Sequence, residues 1–562
     1  MTKPFMRFAF LFLFLPLLPS LGAAQDEPTP AAIRAILQER IDKNKKSIGI
    51  VAGVINAKGS QVTGYGKLGQ EKHQEPDGNT VYEIGSITKV FTAILLQDMA
   101  ERGALNLDDP LSKHLPKSVK APTKDGKEIT LRHLATHTSG LPRLPDNLEM
   151  KNPDNPYADY TVGQMYDFLS RYQLPRGIGE KYEYSNYGAG LLGHLLALKA
   201  GMDYETLVTK RICGPLKMND TRIKLSAQMQ SRLAQGHNEV LRPAANWDIP
   251  TLAGAGALRS TANDLLLFLA ANLGFTKSPL TPILPKTHLT QNNTGVPDLE
   301  IGLGWHIHKK HDSEIIWHNG GTGGYRSFLG FDKAKGLGVV VLSNSTNDID
   351  DIGRHLLNPK FELAKLEPSK ERKAIKVDPK IYDAYVGHYE LTPSFVIAVT
   401  KEGERIFAQA TGQPRFEVFP ESEIKFFLTV VDAQITFVKD EKGQIEHLIL
   451  HQNGIDQKAR KLGPDYQPPP PRKEIAINPE ILKNYAGQYE LAPGFIFDVI
   501  VENNQLQVQL TGQPRFPVFA EAEAKFFYKV VDAQLTFQKD AGGKVTSLIL
   551  HQGGRDQTAK KK

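Results

Sequence analysis

Apolar and polar residues alternate with different periods in different parts of the chain. Residues 48–69 alternate with a period of two on either side of Gly59, which is typical of a β-hairpin. The long middle of the chain has helical periodicity, and residues 327–345 again have the pattern of a hairpin. Strands at both ends with helices between them predict one domain over residues 25–360, whose sheet is assembled from distant parts of the chain.

The last third of the chain is an internal repeat with all-β character. Residues 378–460 recur at 478–560 with a constant offset of one hundred. Each copy has about eight short runs rich in β-branched and aromatic residues, separated by Gly, Pro and charged turns. Such a module suits a small closed barrel, because closure leaves no exposed sheet edge. We predict barrels over 377–462 and 476–562, joined by a proline-rich linker at 463–475.

The first residues have the pattern of an export signal. Lys3 and Arg7 precede an apolar run that finishes with small residues at Ala24. We expect residues 1–24 to be a cleaved signal peptide, and the mature protein to be periplasmic or secreted. An uncleaved membrane anchor is the alternative, but the run is short and broken by prolines, so we expect no stable membrane span in the mature form.

Composition and charge narrow the class of protein. A content of 40% hydrophobic and 23% charged residues is ordinary for a globular protein and argues against a disordered or polytopic membrane protein. The formal charge of +6 is small for 562 residues, and the basic residues are scattered, so nucleic acid is not an expected partner. Cys213 is the only cysteine, which excludes an intramolecular disulfide.

A serine at the start of a predicted helix is the first candidate for chemistry. The apolar residues from Ile87 to Met99 follow helical spacing and Gly103 is a typical stop signal, so Ser86 lies where the helix begins. Lys89 follows three residues later and projects on the same side. A serine hydroxyl becomes a nucleophile when a base takes its proton, and a desolvated lysine with a lowered pKa can act as that base.

Spacing alone does not identify this site. Ser422 and Lys425 have the same S-x-x-K spacing, although they lie in a predicted strand, where residues three apart point to opposite faces. Their counterpart in the second repeat begins with Ala522, so we interpret this second match as accidental. The structural alternative for Ser86 is an N-capping serine with a solvent-exposed lysine.

Three motifs follow one another along the chain: Tyr82 to Lys89, Tyr184-Ser185-Asn186 and His318-Asn319-Gly320. In this order they resemble the motifs of the serine β-lactamase and penicillin-binding-protein-like hydrolases, in the branch of class C β-lactamases, D-aminopeptidases and related esterases. Segments 134–142 and 256–268 are also similar to family segments that frame the site. The resemblance covers about residues 30–350. It implies an α+β fold, with helices and a helical subdomain flanking an antiparallel sheet, followed by two small, lipocalin-like antiparallel β-barrels.

The resemblance implies a role for each matched residue. Ser86 would be the nucleophile, and Tyr184 would accept its proton and pass it to the leaving group. Lys89 would help to remove that proton. A tyrosine near two cations would ionise more easily than a free phenol, which suits Tyr184 to this task. Asn186 would hydrogen-bond the amide of the substrate and Lys89. No metal and no organic cofactor are needed.

The third motif departs from the lysine that β-lactamases usually have. The backbone N–H groups of Ser86 and Gly321 would form the oxyanion hole, and Gly320 would let the substrate approach the strand closely. His318 would face the acyl or carboxylate end of the substrate. Histidine is charged only in part at neutral pH, so the anchor for a carboxylate is weaker than with lysine. Family members with histidine here are similar to D-aminopeptidases, carboxypeptidase-like peptidases and esterases.

We therefore predict an exported serine hydrolase that forms an acyl-enzyme on Ser86. Its substrates would be small amides or esters, namely D-amino-acid peptides, peptidoglycan-type peptides, β-lactams or carboxylic esters, with a peptidase or esterase favoured over a dedicated β-lactamase. The alternatives are a β-lactamase proper and a non-catalytic binding or scaffold protein that uses the barrels. By resemblance, the barrels are expected to restrict access to the cleft. The expected partner is a small-molecule or peptide substrate, and the sequence is compatible with a homo-oligomer.

Other reactive side chains have structural interpretations. His133 and His137 have the i, i+4 spacing of a zinc pair, but no acidic residue or third ligand accompanies them, so no metal site is predicted. His451 and His551 recur because of the duplication and are predicted to be hydrogen-bonded at strand ends. Cys213 is predicted to be a small buried residue.

Overall fold

The computed structural model describes residues 28–562 apart from short segments. The segments left out are 149–150, 367–371, 393–394, 412–414, 453–454, 464, 467–474, 476, 493–494, 503–504, 512–514, 529–532, 541 and 553–554. The predicted signal peptide, residues 1–24, lies outside the described residues, and so does most of the predicted linker.

Short and medium helices fill the region between the first and last strands of the N-terminal domain. They are α1 (Pro30–Gln38), α2 (Thr88–Glu101), α3 (Leu131–Ala135), α4 (Val162–Arg171), α5 (Asn186–Ala200), α6 (Tyr204–Val208), α7 (Gly214–Leu216), α8 (Ala227–Ser231), α9 (Ala253–Gly256), α10 (Ala262–Asn272), α11 (Leu284–Thr287) and α12 (Asp350–Leu357). Short 3₁₀ turns at Gly85–Ile87 and Leu111–Lys113 and π turns at Glu39–Lys43 and Thr209–Cys213 complete them. Of the helices described, none combines the length and the hydropathy needed to cross a bilayer.

The strands of this domain form one large antiparallel sheet and two small ones. They are β1 (Gly49–Asn56), β2 (Gly59–Gly66), β3 (Val81–Glu83), β4 (Thr123–Lys124), β5 (Lys127–Glu128), β6 (Arg259–Thr261), β7 (Asn292–Asn293), β8 (Leu299–Ile301), β9 (His306–Lys310), β10 (Ser313–Gly321), β11 (Arg326–Asp332) and β12 (Leu337–Ser343). The large sheet has the order β2-β1-β12-β11-β10-β9-β8-β7, while β3 pairs with β6 and β4 with β5. The predicted hairpins are confirmed, since Asn56 pairs with Gly59 and Asp332 with Leu337.

Helices cover both faces of the large sheet. Alternate residues of β12 point to opposite faces, as the strand geometry requires. Val339 and Val341 join the core that α1 and α12 form on one face, whereas Val340 and Leu342 join the larger core with α2 and α10 on the other. The first and last parts of the domain thus meet in adjacent central strands, because β1 pairs directly with β12. This confirms the α+β fold with a sheet built from distant segments.

The repeated region folds into two closed antiparallel barrels. The first follows α13 (Tyr382–Tyr385) and consists of β13 (Gly387–Thr392), β14 (Phe395–Glu402), β15 (Arg405–Ala410), β16 (Arg415–Pro420), β17 (Lys425–Leu428), β18 (Ala433–Lys439), β19 (Ile445–Gln452) and β20 (Ile455–Lys461). The second follows α14 (Pro479–Lys483) and consists of β21 (Gly487–Ala492), β22 (Phe495–Glu502), β23 (Gln505–Leu510), β24 (Phe516–Ala522), β25 (Lys525–Tyr528), β26 (Ala533–Lys539), β27 (Val545–Gln552) and β28 (Arg555–Lys561). In each barrel the last strand pairs with the first, which confirms the predicted closure.

Aromatic side chains fill the interior of each barrel. In the first barrel the rings of Tyr385 and Phe437 stack with their centroids 4.2 Å apart, and Tyr389 and Phe426 are fully buried beside them. Tyr485 and its neighbours repeat this arrangement in the second barrel. The described interior of each barrel is thus filled by the protein's own side chains.

Both barrels contact the N-terminal domain through polar groups. Asn238 Nδ2 donates to the carbonyl of Thr429 in the first barrel at 3.2 Å. Lys124 forms an ion pair of 3.0 Å with Glu502 in the second barrel. These contacts place the first barrel beside the loop that contains Asn238 and the second beside strand β4.

Candidate active site

Ser86 lies in a tight turn directly before α2. The turn is the 3₁₀ segment Gly85–Ile87, and Gly85 has a positive φ of 50°, a conformation that favours glycine. The carbonyl of Ile84 accepts a hydrogen bond of 2.8 Å from Ser327 Oγ, which ties the turn to the large sheet. Helix α2 is buried on almost every face rather than on one stripe. The sequence predicted the helix start, and the packing around α2 fixes its position.

Lys89 extends from the first turn of α2 back to the serine. Lys89 Nζ lies 2.9 Å from Ser86 Oγ and 2.7 Å from the carbonyl oxygen of Ala255. Only 3% of the lysine is exposed. Burial, assisted by the charge of Arg143, holds the pKa of Lys89 well below its usual range. A neutral amine within hydrogen-bond distance of a hydroxyl has the geometry of a general base.

Tyr184 lies on the other side of the serine and hydrogen-bonds its hydroxyl. Two basic side chains flank its ring, with Lys89 Nζ 4.8 Å and Arg143 Cζ 5.2 Å from the ring centroid. The expectation that Tyr184 ionises easily is nevertheless wrong for this structure. Burial outweighs the hydrogen bond from Ser86 and the charge of Arg143, and raises the pKa of Tyr184 above that of a free phenol. Tyr184 is therefore a neutral phenol at pH 7.

Asn186 is the first residue of α5 and is held by its backbone. Its N–H donates to the carbonyl of Arg143 at 3.0 Å, and its side chain hydrogen-bonds the Tyr157 hydroxyl. Asn186 Oδ1 is buried and has no partner among the described residues. The expected hydrogen bond with Lys89 is not formed, because the lysine amine is engaged by Ser86 and the carbonyl of Ala255. The unpartnered oxygen leaves an acceptor at the site.

His318 lies in β10 with its side chain buried. Its Nδ1 donates to the carbonyl of Asn319 at 2.6 Å, and its Nε2 is buried without a partner among the described residues. Burial and the nearby His306 and Lys89 hold the pKa of His318 well below its usual range. The expected partial charge is therefore absent at neutral pH. With 1% exposure the ring lies behind the cleft rather than in it, which corrects the expectation that it faces the substrate.

The two glycines that follow bring β10 into close contact with the serine turn. A Cβ on Gly320 would lie 2.0 Å from the carbonyl oxygen of Ile84. A Cβ on Gly85 would lie 2.7 Å from the backbone nitrogen of Gly321. Only glycine fits at this crossing, so the backbone of the serine turn at Gly85 lies directly against that of Gly321.

Two aromatic residues that the sequence reasoning missed form walls of the cleft. Tyr157 and Trp247 have their ring centroids 5.4 Å apart. The cleft beside Ser86 has a volume of about 30 Å³, room for no more than a few water molecules. Its described lining is Gly85, Ser86, Tyr157, Asn186, Trp247, Ile249, Leu252, Ala255, Gly256, Gly321 and Thr322. None of these described residues belongs to a barrel, so the barrels do not line the cleft, and their effect on access to it stays a prediction.

A second, larger cavity adjoins the cleft. It has a volume of about 990 Å³ and shares Trp247 and Ile249 with the cleft. Its lining carries side chains of both charges, such as Asp203 and Lys224. Trp247 is therefore a wall common to the cleft at Ser86 and to a space of the size of a ligand site.

The remaining predicted groups lie as follows. His133 Nδ1 accepts from the backbone of Thr130 at the start of α3, while His137 lies 4.5 Å from the Tyr184 ring. Across the described ranges there is no group of three or more metal-ligating side chains. Ser422 is in a turn before β17 and not in a strand, and its Oγ accepts from the N–H of Lys425 at 3.0 Å. Cys213 is buried.

A deeper set of hydrogen-bonded groups lies behind Tyr184 and was also missed. The hydroxyl of Tyr182 lies 2.9 Å from Nε2 of His306. The rings of His306 and His318 are 5.0 Å apart. Burial lowers the pKa of His306 to about 4, so this imidazole is neutral as well. The charge of Arg143 lowers the pKa of each of Lys89, Tyr184 and His137.

Comparison with known proteins places this geometry in a family. A family model described as Beta-lactamase matches residues 33–357, and a model described as a domain of unknown function, DUF3471, matches residues 371–463 and 471–561. Penicillin-binding protein 4* of Bacillus subtilis is 28% identical over 412 residues, which covers 68% of this chain and 87% of that protein. D-alanyl-D-alanine-carboxypeptidase/endopeptidase AmpH of Escherichia coli is 29% identical over 344 residues, covering 58% and 87%.

Solved structures show the same fold. A beta-lactamase/D-alanine carboxypeptidase from Yersinia pestis, complexed with citrate, superposes with a TM-score of 0.53 at 24% identity, and covers 59% of this chain and 97% of that one. A class C beta-lactamase from Rhodobacter sphaeroides superposes with a TM-score of 0.51 at 24% identity, covering 58% and 97%. In both cases the coverage corresponds to a domain of the size of residues 33–357.

Proposed function

Because the chain belongs to the β-lactamase family, we propose that it is an exported serine hydrolase that forms an acyl-enzyme on Ser86. The observation that carries this proposal is the 2.9 Å contact of Ser86 Oγ with the buried amine of Lys89. The lowered pKa of Lys89 supplies a base, and the close approach of the serine turn to Gly320 and Gly321 supports an oxyanion hole at this crossing. The proposed substrates are small amides or esters.

In the acylation step, Lys89 takes the proton of Ser86 as Oγ attacks the carbonyl carbon of the substrate. The N–H groups of Ser86 and Gly321 stabilise the oxyanion of the tetrahedral intermediate. Tyr184 gives its phenolic proton to the leaving amine or alcohol, which its raised pKa allows because the phenol is protonated at rest. The protonated Lys89 then restores the proton of Tyr184, and the acyl group remains on Ser86. A water activated by the same base completes hydrolysis.

The electrostatics of the site support a peptidase or esterase rather than a dedicated β-lactamase. His318 is buried and neutral, so it adds no positive charge for the carboxylate of a β-lactam. Asn319 Nδ2 donates instead to Asp350 Oδ2 at 2.6 Å, which places a carboxyl group of the protein beside this strand. The unpartnered Asn186 Oδ1 suits the N–H of an amide substrate.

Active-site labelling tests the proposed reaction. A fluorophosphonate and a fluorescent penicillin should each attach to the native protein, and Ser86→Ala should abolish both signals because the nucleophilic oxygen is lost. Ser422→Ala is the matched control and should be labelled like the native protein, since its hydroxyl binds a backbone N–H. If neither probe attaches to the native protein and p-nitrophenyl butyrate is not hydrolysed, the proposal is wrong.

Replacing His318 with lysine should shift the substrate preference toward carboxylates. A longer, cationic side chain would place a charge nearer the substrate, and we expect the ratio of kcat/KM for nitrocefin over p-nitrophenyl butyrate to rise about tenfold, or about 1.4 kcal/mol. D-Ala-p-nitroanilide, which carries no carboxylate, should follow the ester. His318→Gln is the neutral control. A ratio that is unchanged in His318→Lys, or that rises equally in His318→Gln, would exclude the charge argument.

Export is the part of the proposal that rests on residues 1–24 alone. We expect the N-terminal sequence of the protein recovered from outside the cytoplasm to begin near Gln25. Recovery of the chain with Lys3 and Arg7 still attached would instead favour the membrane-anchor alternative.

A further inference from the structure

A cavity of about 410 Å³ lies between the N-terminal domain and the first barrel. Five separate parts of the chain form its walls: residues 45–48 before β1, Gln70, residues 239–242, Arg372, and residues 427–432 at the end of the barrel strand β17 and in the turn that follows it. Voids in packed protein interiors rarely exceed the size of a water molecule, whereas small-molecule sites begin at about 300 Å³. The space is thus of the size of a ligand site.

Cationic side chains predominate over acidic ones in its lining. The basic residues are Lys45, Lys46, Arg242 and Arg372, and the acidic residues are Glu239 and Asp432. Four positive and two negative charges leave an excess of two positive charges. Arg372 is paired with Glu421 at 3.0 Å, and Arg242 lies over the Phe419 ring, 5.5 Å from its centroid.

The two lysines are the cations that remain available to a ligand. Within the part of the chain that the structure describes, neither Lys45 nor Lys46 has an ion-pair partner. The two are adjacent in sequence, and both line the same cavity. An anion held between them would gain two charge-assisted hydrogen bonds, which are stronger than bonds between neutral groups.

Apolar side chains form most of the remaining wall, together with the polar residues Gln70 and Thr429. Ile48 and Leu241 contribute from the N-terminal domain, and Phe427 and Leu428 from the first barrel. Arg242 lies between the cationic and the apolar parts of the lining, because its guanidinium rests on the Phe419 ring. Partial burial lowers the pKa of this guanidinium. A ligand that satisfies this lining needs an anionic head and an apolar chain.

We propose that this cavity binds an anionic amphiphile, whose head lies between Lys45 and Lys46 and whose alkyl chain lies against Leu241 and Phe427. A carboxylate and a phosphate monoester share the required head chemistry. The site is distinct from the cleft at Ser86, with which it has no described lining residue in common. Binding therefore does not depend on the proposed hydrolase activity.

Calorimetric titration of the full-length chain with four probes tests the ligand class. Decanoate and decyl phosphate should bind saturably with one site per chain, and comparison of their dissociation constants identifies the preferred head. Acetate, which lacks the chain, and decyltrimethylammonium, which reverses the charge, should bind at least tenfold more weakly. Equal binding of decyltrimethylammonium and decanoate, or the absence of any saturable heat with both anionic probes, overturns the proposal.

A charge-reversal variant locates the site. Lys45→Glu/Lys46→Glu should weaken decanoate binding at least tenfold, because the anionic head would meet two carboxylates. Lys117→Glu/Lys120→Glu makes the same change in net charge on exposed residues outside the lining and should bind like the native protein. An unchanged dissociation constant in the first variant, with saturable binding in the native chain, assigns the ligand to another place and refutes this cavity. Circular dichroism and ester hydrolysis should be native-like in both variants.

Discussion

Replacing Lys89 with methionine should lower kcat for p-nitrophenyl butyrate by about 10³-fold, the range that a positioned general base contributes. Methionine has nearly the length of lysine and no titratable group, so it fills the same buried space beside Ser86 and the carbonyl of Ala255. The loss should appear in kcat and kcat/KM alike, because the proton is transferred in the transition state. Steady-state kinetics on the folded variant measure it.

The pH profile distinguishes a base from a structural lysine. Since burial lowers the pKa of Lys89, its amine is the active, unprotonated form above that pKa, and activity is lost as the pH falls through it. The native profile of kcat/KM should therefore have an acid limb that Lys89→Met no longer shows. His137 and His318 face the same amine and are neutral there, so they add no cation to this limb at neutral pH.

The second S-x-x-K match supplies the control for this prediction. Lys425→Met makes the identical substitution at a lysine that lies outside the cleft, and its kinetics should equal those of the native protein. A similar loss in both variants would indicate a general effect on folding. A Lys89→Met variant that keeps the acid limb and more than a tenth of kcat would show that another group is the base.

Periodicity predicted the elements whose burial follows a regular pattern. The alternation around Gly59 gave the β1–β2 hairpin, and the constant offset of the repeat gave two barrels of the same topology. The alternation is a local pattern and the repeat is a direct match of two segments, so a single sequence is enough to reveal both. The order of strands in the large sheet could not be predicted from local patterns, because β12 pairs with β1 from the other end of the domain.

The sequence predicted the site residues that belong to motifs and missed those that lie in loops. Ser86, Lys89 and Tyr184 come together as the motif order implies. Tyr157 and Trp247 lie in irregular segments, so neither period nor motif pointed to them, although an aromatic residue in a long loop was an available signal. Pairwise contacts across the fold determine which loop aromatics reach a cleft, and sequence spacing does not report them.

Protonation states were the least predictable feature, because they depend on burial by distant elements. Two cations near Tyr184 suggested a lowered pKa, yet the ring is enclosed and desolvation outweighs Arg143. The same desolvation lowers the pKa of Lys89 and makes it the stronger candidate for the base. The structure thus changes the assignment of roles without changing the residues.

Gly320→Ala should reduce kcat/KM for p-nitrophenyl butyrate by about 10²-fold to 10³-fold, the effect of losing one oxyanion donor. A Cβ at this position would lie 2.0 Å from the carbonyl oxygen of Ile84 and 2.5 Å from Ser327 Oγ. The strand must then move away from the serine turn, which separates the N–H groups of Ser86 and Gly321. Overpacking of this kind also costs about 1–3 kcal/mol of unfolding free energy.

The nucleophile itself remains intact in this variant, and that gives the sharpest readout. Ser86 in the turn before α2 and Lys89 in its first turn stay together. A fluorophosphonate should therefore still label Gly320→Ala, but at a rate reduced in proportion to kcat/KM, because this reaction too develops charge on an oxygen in the oxyanion hole. Gly163→Ala is the control, since its Cβ meets only Thr161 Oγ1 at 3.9 Å. If Gly320→Ala keeps full activity while its thermal midpoint falls, the crossing of β10 over the serine turn supports the fold and not the oxyanion hole.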